Sequence, residues 1–258
     1  MANESGIEWL VNPDGSKGLT VNPVIGCSRI SPGCGGGYIK GPNGEQGGCW
    51  AEELVSMRMS KNPSLPMYHD LAKPDGGWSG VVKLVPGRLK DIVALGNARK
   101  RNAHGVLAPA RSRVFVCDMS DLFHEKVPFE YIAAVFGAMA CAPKHLFYVL
   151  TKRPARAVEF ARWIESDQNE HRQSGFTIGD RCTAMALDRL YETFPNATPT
   201  KTPWASTNSL LRKTHTRWPL PNVAFGVTVE DRRYGVPRLD LARKFPARYR
   251  WASVEPQL

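Results

Sequence analysis

The sequence lacks any apolar run close to the roughly 18–20 residues that a membrane-spanning helix requires. Its first residues, Met1 to Gly6, lack the basic start and the apolar stretch of a secretion signal. These two absences predict a cytoplasmic protein without a membrane partner. Because thiols stay reduced in the cytoplasm, the six cysteines are predicted to be free, buried or metal-bound rather than paired in disulfides.

Acidic residues are too few to balance the basic ones. There are 24 Asp and Glu against 34 Lys and Arg, which gives a formal charge of +10 over 258 residues. This excess favours polyanionic partners such as DNA or RNA, although a solvated basic surface has the same composition. The chain also lacks internal repeats and long low-complexity tracts. It is therefore interpreted as a single domain over residues 1–258.

Short apolar runs alternate with segments of helical periodicity along the chain. The predicted strands are Leu19–Ile25, Val81–Leu84, Val114–Cys117, Leu146–Leu150, Val223–Val227 and Tyr249–Val254. The predicted helices run from about Trp50 to Lys61, from Pro86 onward, from Pro128 to Cys141, from Pro154 to Glu165 and from Arg232 to Lys244. Such alternation predicts parallel strands with right-handed crossovers. Six units fit a partial β/α barrel of the TIM type, with an open doubly wound sheet as the alternative.

The alternating pattern breaks between Ser166 and Thr216. This insert contains one predicted helix, Gly179 to Glu192, followed by a stretch rich in Pro and Thr. A long irregular segment inside a compact domain is typical of a lid, a binding element or disorder.

Polar residues follow the predicted strands at the edge where parallel β/α folds bind their ligands. They are Asp118, Ser120, Asp121 and His124 after the third strand, Thr151, Lys152 and Arg153 after the fourth, Thr228, Glu230 and Asp231 after the fifth, and Glu255 after the sixth. Several of them could simply cap the following helices. Capping explains Lys152 and Arg153 poorly, because cations are unfavourable at the positive end of a helix. This basic pair indicates an anionic ligand.

Three cysteines, Cys27, Cys34 and Cys49, lie in one glycine-rich loop after the first strand. Six residues separate the first two, and fourteen separate the second from the third. Thiolates select zinc or iron–sulfur clusters, and a structural zinc site would need a fourth Cys or His that the loop lacks. Three cysteines holding a 4Fe-4S cluster leave one iron open to S-adenosyl-L-methionine. The alternative is that the three are small buried residues. Cys117, Cys141 and Cys182 are predicted to pack in the core. His124 is predicted to be a partly exposed helix residue, with a base or a ligand as the alternative.

The sequence resembles the phage and prophage three-cysteine-motif proteins, a radical-SAM-like family of largely unassigned function. The matching stretches are Ile7–Trp9, Asn22–Cys27, Ser31–Cys34, Cys49–Glu52, Arg113–Val116, Met119–His124, Val149–Pro154, Pro219–Val223, Gly226–Asp231 and Ser253–Pro256. The resemblance differs in one spacing, because the family usually has two residues between its second and third cysteines. The family also continues past the position of Leu258, so the resemblance implies a chain shortened at its C-terminus.

The resemblance implies a 4Fe-4S cluster on Cys27, Cys34 and Cys49, a radical-SAM-like barrel, and a role in phage or mobile-element biology beside a protein partner encoded nearby. The leading hypothesis is an enzyme that reductively cleaves S-adenosyl-L-methionine with electrons from an external donor. Its substrate is unknown, with a nucleic-acid-related molecule as one candidate. Lys152 and Arg153 are assigned to the cofactor's carboxylate or a substrate phosphate, and Glu230 and Glu255 to its ribose or amine, with Asp121 beside them. A second hypothesis is a non-catalytic, metal-stabilised protein that binds nucleic acid or a partner. A third is a metal-free barrel enzyme acting on a phosphorylated substrate.

Overall fold

A computed structural model describes residues 2–34, 39–40, 46–101, 107–166, 177–197, 202 and 216–254. The strands are β1 (Asn3–Glu4), β2 (Leu19–Val21), β3 (Val24–Ile25), β4 (Ile39–Lys40), β5 (Gln46–Gly47), β6 (Lys83–Leu84), β7 (Arg99–Arg101), β8 (Leu107–Pro109), β9 (Arg113–Val116), β10 (Leu146–Thr151), β11 (Val223–Val229) and β12 (Tyr249–Val254). The α-helices are α1 (Trp50–Leu54), α2 (Gly87–Leu95), α3 (Phe129–Ala140), α4 (Pro154–Glu165), α5 (Ile178–Thr193) and α6 (Arg232–Ala242).

The main sheet has six strands in the order β1-β2-β9-β10-β11-β12. The last five are mutually parallel and follow one another in chain order, while β1 pairs antiparallel with β2. The fold is thus mixed α/β with a mostly parallel sheet. In the described part of the chain, no pairing between β1 and β12 closes this sheet into a barrel.

One face of the sheet packs against the helices and forms the main core. Side chains alternate along β10, so that Phe147 and Val149 are fully buried on the helix side. Phe225 of β11 stacks on Phe245 with ring centroids 4.2 Å apart, and Phe123 packs edge-on against both rings. Burying a side chain of this size stabilises the fold by about 1.5–3 kcal/mol.

The opposite face of the sheet is covered by the N-terminal segment. The ring of Trp9 lies 5.0–5.6 Å from those of Phe115, Tyr148 and Trp251, which project from three strands of the sheet. A side chain at Gly226 would overlap the indole of Trp251, so glycine is required for this ring to lie against the strand. The aromatic cluster occupies the face that would be the interior of a barrel.

The insert contributes a core helix. Thr177 and Asp180 form a reciprocal capping box at the start of α5, as the sequence Thr-x-x-Asp favours. Cys182 and Leu190 of this helix are fully buried, and α5 contacts α3 so closely that a side chain at Gly137 would overlap the backbone of Cys182. The predicted helix is confirmed. Its interpretation as part of a lid, binding element or disordered segment is wrong for this stretch, because its apolar face completes the core.

Two predicted strands differ from the structure. The run Leu19–Ile25 is interrupted at Asn22 and Pro23, because Asn22 hydrogen-bonds Asp118 and Met119 and proline lacks the N–H that a central strand donates. Its second half, β3, pairs antiparallel with β6 outside the main sheet, so the predicted second parallel unit does not exist. The antiparallel strand β1 takes the sixth place instead.

The helix predicted from Trp50 to Lys61 is α-helical only to Leu54 and continues as a π-helical turn over Val55–Met59. The other helices match their predicted positions, with α4 beginning at Pro154, a residue suited to a first helical position. Among the residues described, no helix has both the length and the apolar character needed to cross a membrane.

Candidate functional site

All three predicted cysteine ligands border one small cavity at the carboxyl ends of the parallel strands. The cavity has a volume of about 110 Å³, and Asp121, Thr151, Lys152, Arg153 and Thr228 also line it. Cys27 enters it from the loop after β3, Cys34 ends a short 3₁₀ turn, and Cys49 immediately precedes α1. The fold therefore gathers residues from distant parts of the chain around a single space.

Two backbone features bring Cys27 to this cavity. Gly26 has a φ of +84° and its amide donates to the carbonyl of Met119 at 3.1 Å, which ties the cysteine loop to the end of β9. A side chain at Gly26 would overlap the carbonyl of Val81. Glycine is thus required at this position by both the left-handed backbone and the close approach.

The thiols of Cys27 and Cys49 are held protonated. Burial raises the pKa of Cys27 to about 12, although the guanidinium of Arg153 opposes the rise. Burial also raises the pKa of Cys49, against the opposing charge of Lys152 and a backbone hydrogen bond, and the nearby Cys34 raises it further. Metal binding would have to displace these protons, which makes loading dependent on pH.

Three thiols are ligands that suit a thiophilic metal, but here they are not arranged as a metal site. No group of three or more His, Cys, Asp or Glu side chains is placed to hold a metal ion within the described ranges. The three cysteines supply soft ligands on one cavity wall, and the cavity exceeds the roughly 30 Å³ that one water molecule occupies. A cluster at this position would require the three sulfur atoms to be drawn together.

Arg153 joins the cysteine loop to the strand ends. Its Nη1 donates to Cys27 Sγ at 3.6 Å and to Asp121 Oδ2 at 3.3 Å. Its Nη2 donates to the carbonyl and the hydroxyl of Ser28 at 2.8 and 3.0 Å, and Nε donates to Glu125 Oε2 at 3.2 Å. The five N–H groups of the guanidinium thus have five acceptors within the protein. These contacts favour a positioning role for Arg153 over direct binding of a cofactor carboxylate.

Asp121 is the buried anchor of the same network. Its carboxylate accepts from the hydroxyl of Thr151 at 2.7 Å, from the amide of Lys152 at 3.0 Å and from the amide of Phe123 at 2.9 Å. With the ion pair to Arg153, both oxygens are well supplied with donors. Asp121 therefore lies at the cavity where the sequence places it, with its hydrogen-bonding capacity used by the protein.

Glu230 is the opposite case. Its side chain is 0% exposed, yet neither carboxylate oxygen has a hydrogen-bond partner among the described residues. Arg238 Nη2 lies 3.2 Å from Oε1, outside hydrogen-bonding geometry, and the other oxygen lies against Gly33 of the cysteine loop. Lys152 Nζ donates to the Gly33 carbonyl at 3.3 Å, so both predicted residues contact this loop. Glu255, predicted to act beside Glu230, lies outside the described residues.

Residues 4–258 of the chain match one family model, described as a protein of unknown function. The chain belongs to the DUF5131 family. Neither the curated proteins nor the solved structures contain a match to it. Membership assigns no activity, so the chemistry of this DUF5131 protein has to be argued from its own residues.

Prediction from the sequence of this DUF5131 protein missed several residues of the site. Ser28 accepts from Arg153, and its hydroxyl lies 2.8 Å from Nε2 of His124. The prediction that His124 is partly exposed on a helix is wrong, because it lies buried in a turn before α3. Cys117 also lines the cavity, with a φ of +66° that is uncommon for a residue other than glycine. The spacing of Ser28 directly after Cys27 was the available signal for a role in this loop.

A larger cavity of about 710 Å³ opens beside Cys49 and Ser28. Its wall contains a bidentate ion pair in which Arg29 donates to both oxygens of the buried Glu52, at 2.9–3.1 Å. Glu52 also accepts from the backbone amide of Trp78 at 2.7 Å. In this DUF5131 protein the pair fastens the start of α1 to the cysteine loop. Cys49 and Ser28 line both this cavity and the smaller one.

Proposed function

We propose that this protein carries a 4Fe-4S cluster on Cys27, Cys34 and Cys49 and reductively cleaves S-adenosyl-L-methionine, as a radical-SAM-like enzyme does. The observation that carries the proposal is the shared cavity of the three cysteines at the carboxyl ends of parallel strands. Ligand sites of parallel β/α folds occupy this edge. The thiol donor set suits an iron–sulfur centre, and none of the three cysteines is paired in a disulfide.

The strand order supports the barrel-like part of the proposal. In β2-β9-β10-β11-β12 each strand is added on the same side of its predecessor. A doubly wound sheet reverses direction at a switch point, whereas a barrel progresses in one direction. The proposed fold is therefore a partial β/α barrel of the TIM type whose sheet stays open in the described residues.

The protein's own residues would bind, orient and shield the cofactors. The bound cluster would supply the electron that breaks a carbon–sulfur bond of S-adenosyl-L-methionine. Arg153, anchored by Asp121, holds the segment of Cys27 and Ser28 in place. Glu230 offers two buried acceptor oxygens to an ammonium or hydroxyl donor, and Lys152 offers a cation to a carboxylate. The resemblance to the phage three-cysteine-motif proteins supports a role in mobile-element biology, a protein partner encoded nearby and an external electron donor.

Anaerobic reconstitution tests the proposal. The expected result is about four iron and four sulfide per chain, with formation of 5′-deoxyadenosine after addition of dithionite and S-adenosyl-L-methionine. Cys27→Ser, Cys34→Ser and Cys49→Ser should each lose the iron. Cys141→Ser is the matched control, because Cys141 is buried outside the cavity and donates to the Gly137 carbonyl at 3.2 Å, a bond that serine can keep. An intact cluster without 5′-deoxyadenosine would contradict the enzymatic claim.

A second candidate is a non-catalytic protein whose metal is structural and whose basic surface binds nucleic acid or a protein partner. The formal charge of +10 favours it, because such an excess promotes association with polyanions. One zinc per chain with no labile sulfide would support this candidate over the first.

A further inference from the structure

A second cleft lies next to the cysteine cavity, between the first turns of α4 and α6. Its volume is about 560 Å³, within the roughly 300–1,000 Å³ range of ligand sites. Five cationic side chains line it against two carboxylates. The cations are Lys152, Arg153, Arg156, Arg233 and Arg238, and the carboxylates are Glu125 and Glu159.

The carboxylates do not neutralise this cleft. Glu125 is committed to Arg153, and Glu159 lies 3.8 Å from Arg156. Arg238 is committed to the buried Glu230. Among the contacts of the described residues, Lys152 reaches only a backbone carbonyl and the exposed Arg233 only the ring of Tyr234, so neither has a carboxylate partner. The cleft therefore keeps a net positive charge that comes from side chains open to a ligand.

The helices add to this positive potential. Both α4 and α6 begin at the cleft, with Pro154 and Arg232 as their first residues. Arg156 and Arg233 lie in these first turns, where a cation is unfavourable unless an anion is bound nearby. Asp231 caps the start of α6 with its carboxylate, whereas α4 has no acidic residue in its first turn, so the start of α4 favours an anionic occupant.

An aromatic ring accompanies the cations. The half-buried Tyr234 has the guanidinium of Arg233 5.5 Å from its ring centroid and that of Arg238 6.0 Å away. Sites for single-stranded nucleic acid combine cations that follow the phosphates with aromatic rings on which bases stack. Lys152 and Arg153 line both this cleft and the cysteine cavity, so the two spaces share a wall.

We propose that this cleft binds a single strand of DNA or RNA, with phosphates at Lys152 and Arg233 and a base on Tyr234. The strand would lead toward the cysteine cavity, which makes a nucleic acid the substrate class of the enzyme. That last step rests on the proposed function, whereas binding in the cleft does not.

Fluorescence anisotropy of a labelled single-stranded oligonucleotide of about 20 nucleotides, titrated with the full chain over a salt series, tests this site. Arg233→Glu should weaken binding about tenfold or more and reduce the slope of log affinity against log salt by about one. The matched control is Arg243→Glu on the same helix. Arg243 is 78% exposed and paired with Asp240 at the far end of α6, so its reversal should change affinity less than twofold. Circular dichroism should give both variants the wild-type fold.

Three outcomes would overturn the proposal. One is an equal loss in the Arg233→Glu and Arg243→Glu variants, which would mean general surface electrostatics. Another is that polyglutamate displaces the labelled strand as strongly as unlabelled oligonucleotide does. The third is that a nucleoside monophosphate saturates the cleft with the same affinity as the strand. That result would mean that the cleft binds a small phosphorylated ligand. Binding that persists in a chain with all three ligand cysteines changed to alanine supports the cleft even where the iron–sulfur proposal fails.

Discussion

Two buried carboxylates that follow strands β9 and β11 are in opposite states. Asp121, in the turn after β9, receives hydrogen bonds from Thr151 at the end of β10, from backbone amides and from Arg153. Glu230, after β11, is at least as buried but receives none from the described residues. Burying a charged group without hydrogen bonds costs free energy, so Asp121 and Glu230 have different roles.

Asp121 is therefore a structural anchor, whereas Glu230 has hydrogen-bond acceptors that the described residues leave unused. The network of Asp121 is complete and holds Arg153 against the cysteine loop. The environment of Glu230 has unused acceptors next to Gly33 of that same loop. The surroundings of Asp121 are thus already organised, whereas Glu230, buried beside Gly33, has acceptor capacity that the described residues leave unused.

Breaking the hydrogen-bond network of Asp121 should have the largest effect. Asp121→Ala should lower the free energy of unfolding by about 3–5 kcal/mol, because it leaves the buried Arg153 without its buried counter-charge. Urea unfolding monitored by circular dichroism measures this. Asp75→Ala, at an exposed loop position, is the control and should change stability by less than about 0.5 kcal/mol. A loss below about 1 kcal/mol for Asp121→Ala would show that the network is not an anchor.

Removing the guanidinium tests the link from this network to Cys27. Arg153→Gln should destabilise the protein by about 2–3 kcal/mol, because Asp121 loses its charged donor. It should also raise the pKa of Cys27 further, since Arg153 opposes the effect of burial. Alkylation of Cys27 by iodoacetamide at pH 9, followed by mass spectrometry, should slow in this variant, with Arg156→Gln as control. Unchanged alkylation would mean that Arg153 does not act on the thiol.

Crowding the contact between Glu230 and the loop should have a smaller effect. In Gly33→Ala the new methyl group would overlap a carboxylate oxygen of Glu230, and relief of that overlap should cost about 1–3 kcal/mol. The double variant with Glu230→Ala should recover most of this loss, because the second change removes the obstructing group. Strict additivity of the two changes would argue against direct contact.

Neutralising Glu230 should cost less than neutralising Asp121. Glu230→Gln loses no hydrogen bond and ends the burial of an unbonded carboxylate, but it leaves the buried Arg238 without its counter-charge, so a loss of about 1–2 kcal/mol is expected. Asp121→Asn is the matched comparison and should lose more, because it also breaks hydrogen bonds. Equal losses in chemical denaturation would remove the distinction between the two carboxylates.

The smallest expected effect is a loss of stability in mild acid. Burial lowers the pKa of both His124 and His145, so the unfolded chain binds more protons than the folded chain below about pH 6.5. Stability should therefore fall as the pH drops through that value. Urea midpoints at pH 7.5 and 5.5 should differ less in His145→Gln than in the wild type, while a change at the exposed His69 should leave the difference unaltered. A urea midpoint that rises as the pH falls would contradict the predicted loss of stability.

Local patterns predicted much of the fold but not its pairing. The apolar runs of β9 to β12 and the periodicity of α3 to α6 were readable because each depends on neighbours in the sequence. The departure of Val24 and Ile25 from the main sheet could not be predicted, since the break at Asn22 depends on Asp118, almost a hundred residues away. The packing of α5 on α3 likewise depends on Gly137 meeting Cys182, which no local pattern records.

The sequence by itself determined which residue types meet at the strand ends: three thiols, a basic pair and acids that follow buried strands. Only the tertiary structure decided that the guanidinium of Arg153 donates hydrogen bonds to the cysteine loop, while the carboxylate oxygens of Glu230 accept none from the described residues. The physical reason is that composition and spacing set the chemistry a residue can offer. Which partners satisfy that chemistry depends on distances between segments that are far apart in the chain.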